Sequence, residues 1–114
     1  WVWTSNERQS TATFAGGQLV LRCNLPERTV TLFRAGSATG KVPMTVVTET
    51  VARPLTATAQ STPTQGIALT LNARDPLLDA MAFSRGRFAV EATGLAPLYV
   101  PSWPEVSRVI EECR

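Results

Sequence analysis

Histidine is absent from this chain of 114 residues. That removes Ser-His and Cys-His nucleophilic catalysis and all His-ligated metal chemistry. Cysteine is scarce: Cys23 and Cys113 stand alone, whereas the common zinc sites need several clustered Cys and His ligands. Lysine occurs once, at Lys41, and tyrosine once, at Tyr99. The other basic residues are arginines scattered along the chain, and the net charge is only +2. With no basic stripe and no basic-aromatic interleaving, nucleic acid is not an expected partner. No apolar run approaches the roughly 20 residues that a transmembrane helix requires. Trp1 stands where a methionine would, and no basic-then-apolar leader precedes it. The expectation is a mature exported segment whose signal has been removed, with room for a lipid anchor upstream of Trp1.

What the chain does contain is apolar and β-rich. Hydrophobic residues make up 44% and charged residues 18%, the balance of a globular protein rather than a disordered one. The length suits one core, so residues 1–114 read as a single domain. Trp1-Val2-Trp3-Thr4 opens as a strand with both tryptophans on one face. They either roof the end of the core or expose an aromatic surface to a sugar or protein. Gly16-Gly17 punctuates a hairpin. In Gln18-Leu19-Val20-Leu21-Arg22-Cys23, the residues Leu19, Leu21 and Cys23 share the inward face, with Val20 breaking strict alternation. Residues 29–33 return as the next strand. The loop 34–41 has two glycines and Lys41, yet lacks the spacing of a phosphate-binding P-loop. Residues 44–51, 54–59 and 67–72 read as three further strands, the last with Ile67, Leu69 and Leu71 inward.

The periodicity then changes. Asp75-Pro76 sets an N-cap aspartate before a first-turn proline, starting a two-turn helix that must pack through Leu78, Met81 and Ala82. Gly86 fits its stop. Residues 87–92 alternate, with Phe88, Val90 and Ala92 inward, and 98–101 make a last strand whose prolines favour an edge. Ser102-Trp103-Pro104-Glu105 matches a capping box. Trp103, Val106, Val109, Ile110 and Cys113 then form one helical stripe expected to be buried.

Helical phase turns Cys113 inward and strand phase turns Cys23 inward. A Cys23–Cys113 disulfide is therefore expected, implying an oxidising compartment such as the periplasm or the cell exterior. Catalytic candidates are fewer. Asp75 is explained by capping, and adjacent Glu111 and Glu112 point to different sides of a helix. A hydrolytic pair such as Glu49 and Glu91 would have to be assembled across loops. No motif for a cofactor is present. Ser84-Arg85-Gly86-Arg87 is the densest basic spot: either a solvated turn or, through Arg85 and Arg87, a tip that contacts a partner.

The phrases Phe83-Ser84-Arg85-Gly86-Arg87-Phe88-Ala89-Val90-Glu91 and Pro101-Ser102-Trp103-Pro104-Glu105-Val106, with Trp1 to Thr4 and Arg22-Cys23, resemble uncharacterised exported proteins and lipoproteins of alphaproteobacteria. That resemblance covers most of the chain and implies compartment and fold, with no activity or site residues. A weaker likeness, from Leu77 to Val100, is to the invasion-associated locus B family of periplasmic β-sandwich proteins, whose cysteine pattern differs.

The expected fold is mainly β: an antiparallel β-sandwich or flattened barrel of eight to ten strands. It carries a short helix between late strands and a C-terminal helix. The expected role is a non-enzymatic domain of the periplasm or outer envelope that binds a protein or glycan, through Trp1 and Trp3 or through Arg85 and Arg87. The alternative is a small periplasmic ligand binder or enzyme inhibitor.

Overall fold

The computed structural model describes residues 1–62 and 64–114; Pro63, between the strands expected at 54–59 and 67–72, lies outside the described residues. Nine strands and two helices follow one another as β1 (Val2–Ser5), β2 (Gln9–Phe14), β3 (Leu19–Asn24), β4 (Thr29–Ala35), β5 (Lys41–Val47), β6 (Ala52–Gln60), β7 (Gly66–Asn72), α1 (Pro76–Ala82), β8 (Arg87–Ala92), β9 (Leu98–Pro101) and α2 (Pro104–Glu112). Every pairing is antiparallel. The strands form one open sheet in the order β1-β2-β3-β4-β7-β6-β5-β8-β9. The mainly β reading is thus correct, as are both helices and their places in the chain.

A sheet with one apolar face must cover it, and this one does so by curling on itself. The bend is built into β6. Its residues from Ala52 to Thr58 pair with β5, but only Thr58, Ala59 and Gln60 pair with β7. Five strands therefore lie on one side of the bend and four on the other. Their inward side chains meet in one core: Leu19, Leu21, Leu32 and Ile67 from one side, Met44, Val46, Phe88 and Val100 from the other. The two outer edges approach as well, because the Trp1 indole N–H donates to the Pro101 carbonyl oxygen at 2.6 Å. Pro54 falls on the stretch of β6 that has no strand on its second side, where a missing N–H costs nothing.

The inward phases agree with the expectation along β3, β7 and β8. Val20 is the apolar residue on the otherwise polar face of β3. It points outward and pairs with Phe33 on the far face of the sheet. Strand β5 begins at Lys41 and ends at Val47, earlier at both ends than β-branched propensity suggests. Residues Thr48 to Val51 instead form a turn in which the Thr48 hydroxyl accepts the N–H groups of Thr50 and Val51 at 3.3 and 3.1 Å. Threonine here serves the turn through its oxygen, not the strand through its branching.

Helix α1 starts as read: Asp75 caps it, its carboxylate accepting the Leu77 N–H at 2.9 Å, with Pro76 following. Leu77, Leu78 and Met81 are buried and Ala82 is half-buried. The helix stops at Ala82. Gly86, at φ +74°, lies in the turn into β8 and is not the helix stop.

Helix α2 departs from the expectation at its start. Trp103 is its N-cap residue, with no side-chain cap, and Pro104 is the first helical residue. The capping box is therefore out of register, and the Ser102 hydroxyl is buried with no hydrogen-bond partner among the described residues. Proline forces the residue before it out of the helical region, so Trp103 is extended (φ −83°, ψ 166°) and cannot continue a stripe. It is 53% exposed. Val106, Val109, Ile110 and Cys113 are buried as expected, against β1, β2, β3 and α1. Among the described residues no helix is long and apolar enough to cross a membrane.

Candidate functional site

The expected disulfide is present, joining Cys23 in β3 to Cys113 just past α2 across 90 residues of chain. Neighbouring polar contacts hold the same end. The Arg114 guanidinium donates to Asp79 at 2.7 Å and to the Ala73 carbonyl at 2.6 Å, while Arg28 donates to the Arg114 carbonyl at 2.8 Å. These groups are structural: each ties α2 to another element.

At another end of the molecule, two turns are fastened to each other. The Ser84 hydroxyl is buried between them, donating to the Arg87 carbonyl at 2.7 Å and accepting the Glu49 N–H at 3.0 Å. Glu49 in return accepts the Arg85 N–H at 3.2 Å and lies 3.7 Å from the Arg85 guanidinium. Arg87 does not reach Glu49. Its guanidinium stacks over the Tyr99 ring of the edge strand, 5.0 Å from the centroid, a cation–π arrangement. Arg85, Arg87, Glu49 and Tyr99 line a depression of about 390 Å³. A second one of about 340 Å³ adjoins it across Ser84, lined by Val51, Pro76, Ala80 and Phe83. Phe83 is 78% exposed and Tyr99 55%. Of the five large apolar side chains that stand exposed among the described residues, three (Val51, Phe83 and Tyr99) surround this tip.

Trp1, just before β1, and Trp3, within it, lie elsewhere, both half-buried against the core. Trp1 packs on Phe14, ring centroids 5.4 Å apart. The Trp3 indole N–H donates to the Ser10 hydroxyl at 3.0 Å, and that hydroxyl donates to the Glu112 carboxylate at 2.8 Å. Trp3 does not form an aromatic pair with Trp1; it meets α2, where the Arg108 guanidinium lies 3.7 Å from the Trp3 ring centroid. Trp3, Arg108, Glu105, Pro104 and Trp103 together line a groove of about 470 Å³.

Of the carboxylates weighed for hydrolysis, Glu49 is held by Arg85 at the tip, and Glu91 faces solvent on β8 opposite Thr45. The described residues contain no group of three His, Cys, Asp or Glu side chains placed to hold a metal ion. The Asp75 carboxylate has a perturbed affinity for protons. Burial opposes its ionisation, but the hydrogen bonds from Arg53 and from the Leu77 N–H outweigh that, holding its carboxyl below the ordinary value. Its role is in the fold. No family model, curated protein or solved structure matches the chain.

The residues that sequence reasoning missed are Phe83, Tyr99 and Val51 at the tip, and Trp103 in the groove. A usable signal existed for Trp103, since a residue before proline is restrained from helical backbone. For Phe83 the signal was helical phase: Leu77, Leu78 and Met81 fill the buried face of α1, and position 83 falls off it.

Proposed function

We propose that this is a non-enzymatic domain of the periplasm or outer envelope that recognises a partner protein through the tip carrying Phe83, Arg85, Arg87 and Tyr99. The observation that carries the reading is the clustering of exposed Phe83, Tyr99 and Val51 around two arginines. Aromatic residues and arginine are the types that dominate binding energy at protein interfaces, and charged rims set orientation. A rigid base supports the reading too, because the Ser84 hydrogen bonds fix the two turns before any partner arrives. Arg85 shares its charge with Glu49, whereas Arg87 makes no ion pair among the described residues. The partner should therefore present an apolar centre with an acidic group at its rim.

The Cys23–Cys113 bond supports an oxidising compartment, in line with the resemblance to exported alphaproteobacterial proteins. The test is a quantitative pull-down from envelope extract with the wild type, a Phe83→Ala/Arg85→Ala variant and an Arg85→Ala/Arg87→Ala variant. A partner should be retained by the wild type and recovered at least tenfold less by both variants. Equal recovery of every retained protein removes the tip from consideration.

A further inference from the structure

We infer that the groove between β1 and α2 is a second binding site, separate from the tip, and that its ligand is a neutral carbohydrate read by Trp103. One indole of the chain stands in the wrong place for packing. Trp103 is 53% exposed although the buried stripe of its own helix begins three residues later, and its N–H makes no hydrogen bond among the described residues. The indoles of Trp1 and Trp3 are both satisfied within the protein. A large apolar ring with a free donor at its rim suits a ligand that is apolar on one face and polar around its edge. A pyranose is such a ligand: its C–H face lies flat on an indole while its hydroxyls point sideways.

The rest of the groove narrows the chemistry. Arg108 and Glu105 face it with opposite charges, so the site has no net preference for an anion or a cation. The Trp3 face is already occupied by the Arg108 guanidinium at 3.7 Å, and this resident cation repels a second one, which disfavours an ammonium ligand. It also leaves one open aromatic face rather than a pair, whereas proline-rich peptides dock in grooves lined by several aromatic rings. What remains is stacking on Trp103, with the Glu105 carboxylate accepting and the Arg108 guanidinium donating to hydroxyls. The groove, at about 470 Å³, falls within the size of ordinary small-ligand clefts.

The three indole N–H signals of the ¹⁵N-labelled domain make the test. It is titrated with cello-, malto- and laminarihexaose and hexa-N-acetylchitohexaose, and separately with a decaproline peptide. At least one hexaose should move the Trp103 signal and leave Trp1 unmoved. Trp103→Ala should bind that hexaose at least tenfold more weakly by calorimetry, and Trp103→Phe should recover most of the loss. No movement of Trp103 with any hexaose overturns the inference, as does unchanged affinity in Trp103→Ala. Movement with decaproline alone overturns it in favour of a peptide. If Trp103→Ala lacks the native circular dichroism spectrum, Glu105→Gln and Arg108→Gln decide instead, and two unchanged affinities overturn it. Tip variants at Phe83 and Arg85 should bind the hexaose normally, so the two sites fail or stand independently.

Discussion

Asp75 does two things that a sequence exposes unequally. Its cap to Leu77 is local and can be read from Asp-Pro alone. Its ion pair with Arg53 spans 22 positions and joins the start of β6 to the start of α1, and nothing local announces it. The two roles can be separated by mutation. Asp75→Asn keeps an acceptor for the cap and loses the ion pair, which is partly exposed and should contribute under about 1 kcal/mol. Asp75→Ala loses the cap as well, for a total of about 1–2 kcal/mol. Urea melts at pH 7 check the order: wild type, then Asn, then Ala. The pH dependence follows from the sign of the shift. The folded carboxyl is held below its unfolded value of about 3.9, so its contribution is complete above that pH and is lost as pH falls through the lower folded value. From pH 4 downward the wild type should lose its advantage over Asp75→Asn. A constant gap between the two from pH 7 to pH 2.5 would contradict this account.

At the scale of elements, the strands were largely legible and the start of α2 was not. Alternation along β3, β7 and β8 predicts buried residues because one face of each strand must meet the core. The capping box failed because two local signals compete in Ser-Trp-Pro-Glu. Serine favours a cap at 102, but proline at the first helical position makes its predecessor the cap, and the backbone restriction wins. A prediction separates the outcomes. Were Ser102 the cap, Ser102→Ala would cost about 0.5–2 kcal/mol. Because its hydroxyl is instead buried with no partner among the described residues, removing the oxygen relieves an unmet desolvation cost. Ser102→Ala should leave the thermal midpoint unchanged or raise it, measured by differential scanning calorimetry. Propensity misled in the same way at residues 48–51, where threonine and valine suggested more strand but the Thr48 oxygen made a turn. Both errors sit at element ends, where a single hydrogen bond or ring constraint outweighs averages over a window.

At the scale of the whole molecule, the disulfide was legible and the sheet order was not. Two inward phases, one of period 2 and one of period 3.6, suffice to suggest that Cys23 and Cys113 face the same core. No comparable pattern reveals that β4 pairs with β7, or that β6 hands the sheet from one side to the other through three residues. The tip was half-legible for the same reason: Arg85 and Arg87 lie close in sequence, but Glu49 arrives from the turn after β5 and Tyr99 from β9. The global design makes its own prediction. Helix α2 covers the core between β1, β2 and β3, and the disulfide closes 90 residues of chain behind it. On the chain-entropy model this bond contributes on the order of 4–5 kcal/mol, a large share of the roughly 5–15 kcal/mol available to a domain. Cys23→Ser/Cys113→Ser should therefore lower the urea midpoint steeply. It should not by itself release the helix, because Arg28, Arg114 and Asp79 still clasp the same end. Deleting residues 104–114 removes the clasp together with buried Val106, Val109 and Ile110, and should abolish the cooperative transition altogether. The two variants must differ in kind, a shifted transition against none. A deletion that still melts cooperatively would show that α2 ornaments the core instead of completing it.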